Sequence, residues 1–165
     1  MKILIIHFSG IGNTIMMFPL LHSIYKSSRF DDVHVLFRDQ AASELIKSSK
    51  IINKIYLYQN SQNVLVNFFK RLWTIFPLLF YKFDYIVNTE IKQSFKNKIL
   101  MRLLRSRNKI CINNSWGNSI NYIENTSEIK LYKKIGEDLK INWQLPSHPF
   151  FRNDETKFCK NIQSI

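Results

Sequence analysis

Short β-branched apolar runs alternate along this chain with longer segments whose apolar residues recur every three or four positions. Residues 2–6, Lys2-Ile3-Leu4-Ile5-Ile6, are almost wholly apolar, which is how a strand buried on both faces reads. Ser9, Gly10 and Gly12 follow, small residues that let a backbone turn tightly and approach a ligand closely. Ile11, Ile15, Phe18, Leu21 and Tyr25 then recur at helical spacing, with Pro19 inside the pattern as a predicted bend. The opening stretch is therefore strand, glycine turn, amphipathic helix. Two glycines alone are a weak motif, equally compatible with a βα turn that holds no ligand.

The same alternation continues. Val33–Phe37 reads as a second strand and Gln40 to about Ser48 as a short helix. Asn53–Tyr58 reads as a third strand. Asn63 to about Tyr81 is long, aromatic and apolar, with Pro77 as a kink or break and Lys70, Arg71 and Lys82 interspersed. Such a segment fits a core helix packed on a sheet. The alternative is partial insertion into a membrane interface, aromatics among the headgroups and cations on anionic lipid. Phe83–Asn88 predicts a fourth strand, followed by the polar residues Thr89, Glu90 and Lys92 where an α/β site collects them. Residues 95–105 predict a basic amphipathic helix with Phe95, Ile99, Leu100, Leu103 and Leu104 on one side. Ile110–Ile112 reads as a short strand, Asn113–Thr126 as loop, and Ser127 as the cap of a helix from Glu128 to about Leu139. Strands alternating with helices predict an α/β fold, a three-layer sandwich around a mostly parallel sheet with right-handed crossovers.

At 165 residues and 45% hydrophobic content the expectation is one domain with a real core. Lys and Arg number 24 against 12 Asp and Glu, a formal charge of +12, which points to a polyanionic partner. No nucleic-acid motif accompanies that charge and the aromatics read as core, so nucleic acid is not the expected partner. Cys111 and Cys159 fit no metal spacing and read as two free thiols. His22, His34 and His148 have no partners at ligand spacing, so no metal is expected. The first 25 residues lack the order of a signal peptide, and the most apolar window, residues 72–81, is too short to span a bilayer.

The run from Lys2 to Asn13 followed by Pro19-Leu20-Leu21 resembles the opening of the bacterial lipopolysaccharide heptosyltransferases, glycosyltransferase family 9. Phe83–Asn88 with the helix ending Leu100-Met101-Arg102-Leu103-Leu104 looks like their fourth strand and next helix. Tyr132-Lys133-Lys134-Ile135-Gly136 is similar to the helix that closes their first domain. The resemblance implies a GT-B glycosyltransferase of two facing Rossmann-like halves, acceptor on the first and nucleotide-sugar donor on the second. Residues 1–149 are then the acceptor-side domain and 150–165 a tail or interdomain linker, with the C-terminal donor-binding domain absent. No cofactor is implied. The partners implied are a nucleotide-sugar donor, a glycan or lipid-linked acceptor and an anionic membrane surface, in the cytoplasm or on the inner face of the inner membrane.

In that family an Asp commonly follows the last glycine of the opening turn and is the proposed base. Asn13 stands there, and a carboxamide has no useful basicity. Another group is the base, or transfer is impaired, or the chain only binds. Ser9, Gly10 and Gly12 in the opening turn, with Arg38, Glu90 and Lys92 just past strand ends, are the candidate acceptor or phosphate contacts, Arg38 and Lys92 reading equally well as ordinary surface charges. His7, two residues before the turn, has a suitable ordinary pKa but fits better as a packed residue at the strand end. The rival function is a non-catalytic binding module for an anionic glycan or membrane surface.

Overall fold

The computed structural model describes residues 1–47, 51–58, 64–91, 94–112, 118–120 and 127–145. His148, Cys159, Lys92 and the tail from 146 onward lie outside the described residues. The order of elements is β1 (Lys2–His7), α1 (Ile11–Lys26), β2 (Asp32–Phe37), α2 (Gln40–Lys47), β3 (Lys54–Leu57), α3 (Val64–Phe80), β4 (Phe83–Asn88), α4 (Phe95–Leu103), β5 (Ser106–Ile112), β6 (Asn118–Ile120) and α5 (Glu128–Asp138).

The six strands form one sheet in the order β3-β2-β1-β4-β5-β6, every pair parallel. The register sets Ile6 beside Leu36 on one side and Asn88 on the other, so β1, β2 and β4 end at one level. Ile3, Leu4, Ile5 and Ile6 are all fully buried, alternating between the two faces. Fully burying such a side chain stabilises by about 2 kcal/mol, which is why β1 is central. One face packs against α1, α2 and α5 through Leu20, Ile24, Ala42 and Ile135. The other packs against α3 and α4 through Leu78, Leu100 and Met101.

Several sequence expectations shift. β5 starts at Ser106, four residues earlier than the apolar run, because its first half pairs with β4 through the backbone while Arg107 and Asn108 stay exposed. The polar stretch 113–126 contains a sixth strand, three residues long and paired with the end of β5. Pro77, read as a kink or break, does not end α3, and Pro19, read as a bend, lies inside α1. Ser127 occupies the N-cap of α5 without a side-chain cap bond; its carbonyl accepts from Lys130 and Leu131 N–H instead. The core-helix reading of α3 holds only for a narrow side: Leu78 is buried, whereas Phe69, Leu72, Trp73, Phe76 and Phe80 are exposed. In α4 and at its C-cap, Leu100, Met101 and Leu104 face the core, while Phe95, Ile99 and Leu103, expected with Leu100 and Leu104 on one apolar side, face out.

Candidate functional site

In a parallel sheet of this order the chain leaves β1 toward β2 and later returns to β4 on β1's other side. The crevice at the carboxyl ends of β1 and β4 is then the topological switch point, where ligands of open α/β sheets bind. Two segments emerge there: Phe8–Gly10 after β1, and Thr89–Glu90 after β4. Glu90 Oε1 ties them together, accepting from Phe8 N–H at 2.8 Å and from Ser9 Oγ at 3.0 Å. Asn88, wholly buried, accepts Glu90 N–H on Oδ1 at 3.1 Å and so aims the carboxylate.

His7 lies directly beneath. Its Nδ1 is 2.8 Å from Thr89 Oγ1 and its Nε2 is 3.0 Å from Thr14 Oγ1, joining β1, the β4 exit and α1. A neutral imidazole carries one N–H, so one threonine accepts and the other donates. Either can turn, because the carbonyls of Ile6 and Gly10 that their hydroxyls reach also receive the backbone N–H of Thr89 and Thr14. Burial pushes the His7 pKa down to about 4, so the ring is neutral at pH 7. Its ring meets Phe37 edge-on at 5.7 Å and is fully buried. His7 is thus a packed residue that positions the turn.

Gly10 is the N-cap of α1, with φ −77° and ψ −175°, an extended conformation open to any residue. The expected tight glycine turn is therefore not a left-handed one. Among the described residues, a Cβ on Gly12 would meet nothing within 4 Å, and one on Gly10 only Asp39 Oδ2 at 3.9 Å. What the glycines leave is open space over the helix start, where backbone N–H groups gather. Asp39 caps α2, its Oδ1 accepting Ala42 N–H at 3.2 Å, and leaves Oδ2 beside the turn.

α5 supplies a third side. Tyr132 OH donates to the Asn13 carbonyl at 3.4 Å. Glu128, one helical turn earlier, has its carboxyl pKa raised, first by burial and then by the charge of Glu90. Its Oε2 is buried and has no hydrogen-bond partner among the described residues. Burial, then the charges of Glu128 and Glu90, push the Tyr132 phenol up as well.

Of the residues picked out in the sequence, Ser9, Gly10 and Glu90 come together at the crevice, and Gly12 and half-buried Asn13 begin α1 beside it. Arg38 is exposed immediately after β2, on the same rim. Lys92 lies outside the described residues. Thr14, Thr89, Asp39, Glu128 and Tyr132 are additions; Thr89 and Asp39 each carried a signal, a place just after a strand. Three carboxylates around a glycine-rich helix start suit the hydroxyl groups of a polyol or sugar, which donate hydrogen bonds, better than a bare phosphate.

A Rossmann-like α/β unit open at its switch point is the class this fold defines. No protein-family model and no curated protein matches the chain by sequence. Solved structures do match in shape. E. coli heptosyltransferase WaaC with ADP superposes with a TM-score of 0.72 at 10% identity, over 91% of this chain and 51% of that one. The same enzyme with ADP-2-deoxy-2-fluoro heptose gives 0.68 at 11% identity, over 98% and 55%. A glycosyl transferase family 9 protein from Veillonella parvula gives 0.68 at 11% identity, over 98% and 49%. The fold is that of one Rossmann-like half of a GT-B glycosyltransferase, and the chain spans about half the length of the structures it matches.

Proposed function

We propose that residues 1–149 are the acceptor-side half of a heptosyltransferase-like glycosyltransferase. It moves a sugar from a nucleotide-sugar donor to a lipopolysaccharide or related lipid-linked glycan at the inner face of the inner membrane. Residues 150–165 are the tail or linker toward a donor-binding half, without which the chain is inactive. The observation that carries this reading is the meeting of the Ser9–Asn13 turn with Glu90 at the switch point of an all-parallel sheet. The likeness to heptosyltransferase structures supports it.

An acceptor hydroxyl sits over Gly12 and attacks the anomeric carbon of the donor. The bond from that carbon to the diphosphate breaks, and the nucleoside diphosphate leaves with the electron pair. The hydroxyl proton needs a base, and Asn13 cannot serve. Glu90 Oε1 is engaged by Phe8 and Ser9 and Asp39 Oδ1 caps α2, whereas Glu128 keeps a buried oxygen with no hydrogen-bond partner among the described residues, so Glu128 is taken as the base. Its raised pKa makes it a stronger base than an ordinary carboxylate. Ser9, Gly10 and Glu90 orient the acceptor; Arg38 and Lys92 meet acceptor phosphates.

The test joins the chain to the donor-binding half of a family 9 enzyme and assays sugar transfer. Transfer that Glu128→Gln cuts at least about a hundred-fold supports the assignment. Absence of transfer, together with no change in the ¹⁵N resonances of Ser9, Gly10 and Gly12 on adding acceptor glycan, sinks it. The carboxamide at Asn13 favours a second reading, a non-catalytic module for an anionic glycan; resonance shifts without transfer in Asn13→Asp as well would select it.

A further inference from the structure

The layer formed by α3 and α4 faces outward with its apolar side showing. On α3, Phe69, Trp73, Phe76 and Phe80 follow one another at spacings of three or four and form a single stripe. Trp73 is 84% exposed and Phe80 72%. On α4, Phe95, Ile99 and Leu103 form a second stripe at spacings of four, with Phe95 77% exposed. Between the helices lies a cleft of about 200 Å³ floored by Phe8 and Tyr58 and walled by Ile75, Ile99 and Leu103. A monomer surface seldom shows so much contiguous apolar area without a use for it.

Charge says what covers it. Neither helix contains an acidic residue, and none occurs from residue 45 to 83 or from 91 to 123. Lys70, Lys96, Lys98 and Arg102 are exposed beside the stripes. The opposite layer is mixed: α5 alone carries Glu128, Glu137 and Asp138 among its three lysines. The cationic excess is therefore segregated onto the aromatic face. A second copy docking through this face would set these cations against their own kind with no carboxylate between them. A lobe closing over the switch point would meet the rim, where Phe8 and Tyr58 lie, and would leave uncovered Phe80, at the far end of α3 beside the start of β4. No helix of the described residues is long and apolar enough to cross a bilayer.

We propose that the outer face of α3 and α4 is a docking surface for an anionic lipid bilayer, into which Trp73 and its phenylalanine neighbours insert to headgroup depth. Amphipathic aromatics enter the interfacial region, and lysines and arginines meet anionic headgroups, as in interfacial helices generally. This names the surface by which the proposed membrane-side reading is met and rests on that reading; vesicle binding and sugar transfer are read separately, so the failure of one is distinguishable from the failure of the other.

The experiment sediments the full chain with vesicles of phosphatidylcholine alone or with 30% phosphatidylglycerol. Binding is expected to the anionic vesicles only, weakening at least about ten-fold when salt rises to 0.5 M. Lys70→Gln and Lys98→Gln should each weaken it about five-fold. Trp73→Glu should weaken it about ten-fold or more while the circular dichroism and unfolding midpoint stay put, since the side chain supports no core. Lipids brominated in the upper acyl chain should quench tryptophan fluorescence, and Trp73→Phe should keep binding but lose the quenching. Failure to bind anionic vesicles, equal binding by Trp73→Glu, or quenching unchanged in Trp73→Phe would each overturn the proposal. So would a dimer in sedimentation equilibrium that Trp73→Glu dissociates, which would make a second copy the occupant.

Discussion

Ser9 and Glu90, 81 residues apart in sequence, share a hydrogen bond of 3.0 Å across the crevice between β1 and β4. The same carboxylate oxygen holds Phe8 N–H at 2.8 Å. One side chain therefore fixes the path by which the chain leaves its central strand. Hydrogen bonds to an ionised group contribute about 1.5–3 kcal/mol, more than neutral ones. Glu90→Ala should lower the unfolding free energy by about 2 kcal/mol in urea denaturation, and amide exchange at Phe8 should accelerate. Glu90→Gln, which keeps an acceptor oxygen but no charge, should lose less. Equal stability of all three proteins would remove Glu90 as the organiser of the turn.

The buried imidazole of His7 gives the fold an acid sensitivity of definite sign. Its pKa in the folded protein is about 4, against 6.5 when exposed. Between those values the unfolded chain binds a proton that the folded chain refuses, so stability is fully present above pH 6.5 and falls as pH drops toward 4. The loss reaches about 3 kcal/mol and then levels off. His34, also held low by burial, adds to the slope in the same direction. His7→Leu removes the titrating group while Thr14 and Thr89 keep the carbonyls of Gly10 and Ile6. Urea denaturation at pH 4.5 and pH 7 should show a smaller difference for His7→Leu than for the parent. An identical difference would show that the ring titrates freely.

Glu128 behaves in the opposite sense. Its carboxyl pKa is raised in the folded state, so ionising it opposes folding as pH climbs through the carboxylate range. Glu128→Gln should therefore raise the melting temperature modestly at pH 7 and leave it unchanged near pH 4, where the parent carboxyl is protonated too. A stability gain paired with loss of transfer in the joined enzyme is the mark of a group kept for function. A stability loss at pH 7 would mean that the carboxylate has a structural partner instead.

The order of strands and helices was legible because each central strand is a run of β-branched residues bounded by polar ones. Lys2 to Ile6, Val33 to Phe37 and Phe83 to Asn88 fall almost where the apolar runs do. β6 was not legible: Asn118-Ser119-Ile120 is short and polar, and only the ladder to β5 makes it a strand. The outward faces of α3 and α4 were hidden for a different reason. When apolar residues occupy most of a helix circumference, periodicity cannot say which of them the sheet will cover. At the site, Ser9 and Glu90 follow strand ends and could be read as rim residues. Glu128 and Tyr132 reach the rim by packing α5 onto α1, a tertiary relationship with no local signature.

Gly12 separates binding from stability more cleanly than any other position. It lies in the first turn of α1, where alanine is the better helix former by about 1 kcal/mol. An added Cβ would touch nothing among the described residues within 4 Å. Gly12→Ala should therefore fold at least as stably as the parent, with a gain of up to about 1 kcal/mol in urea denaturation. The methyl group would stand in the open space over the helix start that a sugar hydroxyl is proposed to fill. Titration with acceptor glycan should then show binding weakened about ten-fold or more, equivalent to roughly 1.4 kcal/mol. If the variant is more stable and binds as well as the parent, the space over Gly12 is ordinary surface and the ligand sits elsewhere on the rim. If it is less stable, the helix start is packed more tightly than the distances around Gly12 allow.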